Sequence, residues 1–169
     1  MTPESVGPLS RPVSVQHLPP GGLEVTVEPT PEERAALAND LRLPAIHVLE
    51  GHFRLTGTPK RVHVEGTVRA RVTQTCVVTL EDFEDEMEEE VEVDFASGGS
   101  DAAEEAGAGY EPPDEIADGH IDLGALTAEF LALGLDAYPR KPGAEFAHEG
   151  QRDATDSPFA ALQKPKPKG

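Results

Sequence analysis

Glu84, Glu86, Glu88, Glu90, Glu92 and Asp94 put a carboxylate at every second position. Such a row could attract divalent cations or copy the charge spacing of a nucleic acid. On an extended strand, however, same-face neighbours stand about 7 Å apart and do not converge on a point as a metal site requires. The row reads as a solvated strand face. If that strand pairs antiparallel with residues 61–73, the carboxylates are expected opposite Arg61, Arg69 and Arg71, each pair supporting the sheet by about 0.2–1 kcal/mol. Arg54, Lys60, Arg61, Arg69 and Arg71, with His52 and His63, form the basic concentration of the folded part. They could meet phosphates, yet the aromatic side chains on which bases stack do not interleave with them, and Phe53 reads as core. His17, His47, His52, His63, His120 and His148 are dispersed, with no pair at the helical spacing that would share a metal. Cys76 is the sole thiol and reads as a small apolar residue near a hairpin turn. A glycine-rich phosphate loop, Gly-x-Ser-x-Gly and His-Glu-x-x-His are all missing, so no catalytic residue, metal or cofactor is nominated and no enzyme is expected.

The 169 residues carry a formal charge of −18, and residues 80–122, with 18 acids and no base, account for all of it. Residues 42–79 carry 6 bases and 2 acids. The field is therefore polar, with a large negative lobe that repels nucleic acid and a smaller positive lobe able to meet a phosphate. Hydrophobic residues make up 37% and aromatics 5%, with 16 Gly and 16 Pro, which predicts a modest core with irregular tails. A single cysteine fits a reducing compartment. No apolar run approaches the roughly 18 residues of a membrane span, and the first 25 residues lack a secretory pattern. A cytoplasmic location and no membrane contact are expected.

The elements that position these groups follow from periodicity. Val13 and Val15, then Leu23, Val25 and Val27, alternate with polar residues and suggest two short strands joined by a turn at Pro19 to Gly22. Thr30-Pro31-Glu32-Glu33 is a capping box with proline at the first helical position, and predicts a helix to about Leu41, bounded by Pro44. Between Ala45 and Gly57 the alternation changes phase, which places a β-bulge near Gly51. Residues 61–73 and 83–95 follow a period of two, so three long strands make an antiparallel meander. Residues 97–118 have the composition of a flexible acidic loop. Asp122 caps a second helix with Leu126, Phe130 and Leu133 on one face, stopped at Gly134.

Two motifs in this order resemble a known family. Gln74-Thr75-Cys76-Val77-Val78-Thr79-Leu80-Glu81 leads into the acidic strand, and Ile121-Asp122-Leu123-x-x-Leu126-x-x-Glu129-x-Leu131 precedes Pro139. Together they resemble the YceD family, the large ribosomal RNA subunit accumulation proteins, over about residues 10–146. Pro139-Arg140-Lys141-Pro142-Gly143-Ala144 and the ending Ser157-Pro158-Phe159-Ala160-Ala161-Leu162 look like its alphaproteobacterial branch. Many members carry Cys-x-x-Cys at the turn; Thr79 replaces the second cysteine here, so a role for such a pair does not carry over. The resemblance implies a cytoplasmic, non-enzymatic bacterial protein needed for accumulation of large-subunit ribosomal RNA.

The expected architecture is α+β: a mainly antiparallel β-sheet or partly closed barrel, two helices packed on its apolar face, and disordered termini. Residues 1–10 are read as a flexible N-terminus, 11–146 as one domain and 147–169 as a disordered tail. The chain is expected to act as a monomeric binding factor in large ribosomal subunit biogenesis. Its partner would be ribosomal RNA, met by Arg61, Arg69 and Arg71, or a basic large-subunit ribosomal protein, held and shielded by Glu86, Glu88 and Glu90. One thiol and scattered histidines cannot supply four convergent ligands. The purified protein should therefore carry no stoichiometric zinc, which metal analysis checks; one zinc per chain would contradict it.

Overall fold

The computed structural model describes residues 7–98 and 112–145. Along the chain run β1 (Pro12–Ser14), β2 (Leu23–Val27), α1 (Pro31–Asp40), β3 (Ala45–Thr58), β4 (Arg61–Thr75), β5 (Asp82–Ala96), β6 (Asp114–Glu115), β7 (His120–Asp122) and α2 (Leu123–Gly134). The main sheet has the order β2-β3-β4-β5-β6, antiparallel except for β6 along β5. It stays open and does not close into a barrel. The fold is α+β, as expected.

Period-two patterning fixes which side of the sheet is wet. Val62, Val64, Val68 and Val72 of β4 are buried, as are Leu49, Phe53 and Leu55 of β3 and Val91 and Phe95 of β5. Leu37 and Ala38 of α1 join the same core, with Leu123, Leu126 and Leu131 of α2. Both helices thus cover the apolar face, leaving the other face of the meander bare of any described element.

The N-terminal strands differ from the expected hairpin. β1 pairs with β7 in a separate two-stranded sheet, and β2 pairs with β3. The reason lies in Asp122, which stitches the chain start to α2. Its carboxylate accepts from Gly124 N–H at 2.9 Å and Ala125 N–H at 3.0 Å as a helix cap, and from the Ser10 hydroxyl at 2.6 Å and Arg11 N–H at 2.7 Å. Gly124 permits this crossing, because a Cβ there would lie 2.7 Å from the Arg11 nitrogen. Residues read as loose are therefore pinned: Leu9 is 1% exposed. In the expected acidic loop, Asp114 and Glu115 pair with Phe95 and Ala96, and Ile116 is buried. Its part 99–111, the first six residues and the tail 147–169 lie outside the described residues. On α2, Leu131 is buried whereas Leu133 is 69% exposed, because the face turned to the sheet is Leu123, Thr127 and Leu131 with Leu126 beside them.

Arg11 carries the stitch on to α1. Its guanidinium donates to both Glu33 carboxylate oxygens at 2.8 and 2.7 Å, while Glu33 also accepts from Thr30 N–H at 2.8 Å in the capping box. These bonds, the Arg11 guanidinium first and Thr30 N–H next, hold Glu33 down from 4.5 to about 2. For Asp122, burial alone would raise the carboxyl, but the bonds from Ser10, Arg11, Ala125 and Gly124 together outweigh it and lower it.

In both cases the folded state binds fewer protons than the unfolded chain in acid, so their stabilisation is complete above the ordinary carboxyl range and disappears as pH falls. For Glu33 the loss spans pH 4.5 to about 2. Urea melts across that window should show falling stability, and Glu33→Gln should flatten the fall. At neutral pH, Asp122→Ala should cost about 1–2 kcal/mol.

Candidate functional site

The bare face of the meander gathers the groups singled out by the sequence. Register sets them in rows across the strands. Glu24, Arg54, Glu65 and Glu92 form one; Thr26, His52, Thr67 and Glu90 the next; then Glu50, Arg69 and Glu88; then Val48, Arg71 and Glu86. Arg69 Nε is ion-paired with Glu88. Arg71 stands opposite Glu86, and Glu90 opposite Thr67. The arginines and carboxylates read as meeting alternative partners therefore share a single surface. Arg61 is the exception: it lies at the far end of β4 opposite Ala96, with no carboxylate across from it.

Three histidines lie in or beside the rows. His63 Nδ1 lies 2.9 Å from Asp94 Oδ1. His47 Nε2 is 2.7 Å from Thr73 Oγ1 and 3.6 Å from Glu84 Oε1. His52 is 3.2 Å from Thr26 Oγ1 through Nδ1 and 3.7 Å from Glu50 through Nε2. Arg54 donates to the Gly21 carbonyl at 2.7 Å. Counting alternate residues on β2 to β5, ten carboxylates face outward (Glu24, Glu50, Glu65, Asp82, Glu84, Glu86, Glu88, Glu90, Glu92 and Asp94) against four guanidiniums (Arg54, Arg61, Arg69 and Arg71). With histidines neutral, the face is strongly negative.

Two shallow troughs cross it. One, of about 680 Å³, lies over Gly66 and is lined by Glu24, Glu65, Glu90 and Glu92 together with His52 and Arg54. Gly66 itself cannot carry a side chain, because a Cβ would collide with the His52 carbonyl oxygen. The second, of about 550 Å³, is lined by Arg69, Arg71, Glu50, Glu86 and Glu88. Shape and charge here suit binding an extended cationic chain.

Glu50 escaped the sequence reading for a definite reason. The β-bulge falls between Ile46 and Val48, where His47 is the extra residue, and not near Gly51. Moving the phase change upstream buries Leu49 and turns Glu50 outward beside Arg69. The signal was available: Leu49, Gly51, Phe53 and Leu55 form an unbroken period of two. Cys76 is fully buried at the start of the β4–β5 turn. Its thiol is held down to about 7 by hydrogen bonding from Thr79 first, against burial, with the backbone N–H groups of Lys141, Thr79 and Val78 adding to it. Thr79 N–H donates to the Cys76 sulfur at 3.4 Å.

A family model described as large ribosomal RNA subunit accumulation protein YceD matches residues 64–165. The chain belongs to the YceD family. No curated protein and no solved structure matches it. The YceD match begins inside β4, later than the likeness read from the motifs, and continues beyond residue 146 into the tail. Arg69, Arg71, Glu86, Glu88 and Glu90 fall within it, whereas Glu24, Arg54 and Arg61 precede it. The family description ties YceD proteins to accumulation of large-subunit ribosomal RNA. Among the described residues no helix is long and apolar enough to cross a membrane.

The Arg69 and Glu88 side chains are 59% and 53% exposed. A double-mutant cycle with Arg69→Ala and Glu88→Ala should therefore return a coupling of only about 0.2–1 kcal/mol in thermal or urea melts. A much larger coupling would show the pair to be a keystone of the sheet rather than a surface contact.

Proposed function

We propose that this protein is a non-enzymatic, monomeric, cytoplasmic binding factor in large ribosomal subunit biogenesis whose bare sheet face holds a basic segment of a large-subunit ribosomal protein. The observation that carries the reading is the charge of that face, ten outward carboxylates against four guanidiniums. Arg69 lies between Glu50 and Glu88, and Arg54 between Glu24 and Glu65, so a phosphate approaching either also meets carboxylates. A cation meets the opposite situation. Glu65 stands directly across from Glu92, a like-charge pair that costs sheet stability and that an incoming lysine or arginine would relieve. Carboxylates repeating about every 7 Å along β5 match the spacing of same-face side chains in an extended basic peptide.

Ribosomal proteins with basic extensions bind polyanions indiscriminately unless those charges are covered. A carboxylate-rich sheet covers them reversibly, because rim ion pairs contribute more to association rate and orientation than to residence. Ribosomal RNA, at far higher charge density, then draws the segment away. RNA left without its protein is exposed to degradation, which connects such holding to the accumulation of large-subunit RNA.

The test separates protein from RNA. Recovery of ribosomal protein with the chain should persist after nuclease treatment of the lysate. Glu86→Gln, Glu88→Gln and Glu90→Gln combined should weaken binding about tenfold or more, which is about 1.4 kcal/mol or above. Arg69→Glu with Arg71→Glu, which makes the face more negative, should leave binding intact or tighten it, with thermal melts confirming that both variants fold. Were RNA the direct partner, the arginine variant would lose binding and its log–log salt slope would fall by about one unit per lost phosphate contact; undiminished binding by the glutamine variant beside that loss would overturn the proposal.

A further inference from the structure

Away from the charged face, a cleft of about 410 Å³ opens where the end of α1, the end of β4 and the segment after α2 meet. Its walls set apolar Leu41, Leu43, Ala132 and Leu135 beside polar Arg42, Thr75 and Asp136, around Gln74. Gln74 is only 4% exposed. Its Nε2 donates to the Asp136 carbonyl at 3.4 Å, but no donor among the described residues reaches its Oε1. A buried acceptor without a donor is costly and uncommon in native chains. A partly apolar cleft of this size with one unanswered acceptor suits a peptide that brings apolar side chains and a backbone N–H.

The chain contains such a segment within reach. Pro139, a wall of the cleft, accepts from Val77 N–H at 2.9 Å, and Lys141 Nζ lies 3.0 Å from Glu81. Lys141-Pro142-Gly143-Ala144 then forms a turn, closed by Ala144 N–H to the Lys141 carbonyl at 2.9 Å with Gly143 at φ +78°. Proline followed by a glycine of positive φ is the chemistry of a type II turn, which reverses the chain. Residues 146–169 follow, and their longest apolar run is Pro158-Phe159-Ala160-Ala161-Leu162. The family match extends to residue 165, past this run. The stretch between Glu145 and Phe159 spans about 45 Å when extended, ample for a return.

We propose that residues 158–162 dock in this cleft of their own chain, seating Phe159 and Leu162 against Leu41, Leu43 and Leu135 while a backbone N–H answers Gln74 Oε1. Docking there anchors the basic end, residues 164–168, to the domain. The inference is independent of what the charged face binds.

The 169 residues contain no tryptophan and 2 Tyr, so Phe159→Trp introduces a single indole that can be excited apart from the tyrosines. Its emission should be blue-shifted and poorly quenched by acrylamide, at all protein concentrations. Adding Ala132→Arg, which fills the cleft from its exposed wall, should shift emission to that of a free indole without changing the melting of the domain. In the unaltered chain, nuclear Overhauser contacts are expected between the Phe159 ring and the methyls of Leu43 or Leu135, which covers the case of an indole too large for the site. Solvent-like emission together with absence of those contacts overturns the proposal. So does a blue shift indifferent to Ala132→Arg, and a concentration-dependent shift would assign the cleft to a second copy instead.

Discussion

Fifteen cross-strand pairs hold β5 against β4 in one register, from Arg61 opposite Ala96 to Thr75 opposite Asp82. Because side chains alternate between faces, a slip of one residue in β4 would bring Val62, Val64, Val68 and Val72 into water and drive Arg69 and Arg71 into the core. The hydrophobic face therefore specifies the charged one. Burial of the valines beneath α2 places the arginines and the carboxylate row on the same exposed surface, and no separate interaction is needed to assemble it. The Asp122, Arg11 and Glu33 stitch serves the same end by tying both helix starts to the chain's beginning, so that the helices lie on one side of the sheet and leave the other bare.

Elements with strong local chemistry were legible in the sequence. Thr30 and Glu33 form the capping box their spacing announces, Asp122 caps α2, and β4 and β5 follow their period of two. Tertiary choices were less so. Val13 alternates as a strand should, but nothing local shows that β1 takes β7 as its partner across more than a hundred residues, since that pairing depends on the Asp122 carboxylate and the missing side chain of Gly124. The phase change between Ala45 and Gly57 does not by itself locate the extra residue, which is His47, while Gly51 continues the buried register against Thr127. In the site, Arg69, Arg71, Glu86 and Glu88 came together as expected. Arg61 did not join them, and Glu24 and Glu50 emerged only once the register of β2 and β3 was known.

The arrangement explains how a chain with so small a core can carry so large a negative charge. Guanidiniums on β3 and β4 interrupt the carboxylates without neutralising them, enough to keep neighbouring strands paired while the face as a whole stays cation-seeking. Membership of the YceD family connects the chain to the accumulation of large-subunit ribosomal RNA, and the proposed holding role rests on the charge balance of this face.

Backbone amide chemical shifts of the intact protein, followed during titration with a lysine-rich extended peptide and separately with a single-stranded RNA, test this claim most directly. The account predicts saturable shifts at Arg54, Gly66, Thr67, Glu88 and Glu90 with the peptide and none at those positions with the RNA. Saturable shifts around Arg69 and Arg71 with the RNA, beside an unresponsive sheet with the peptide, would contradict it.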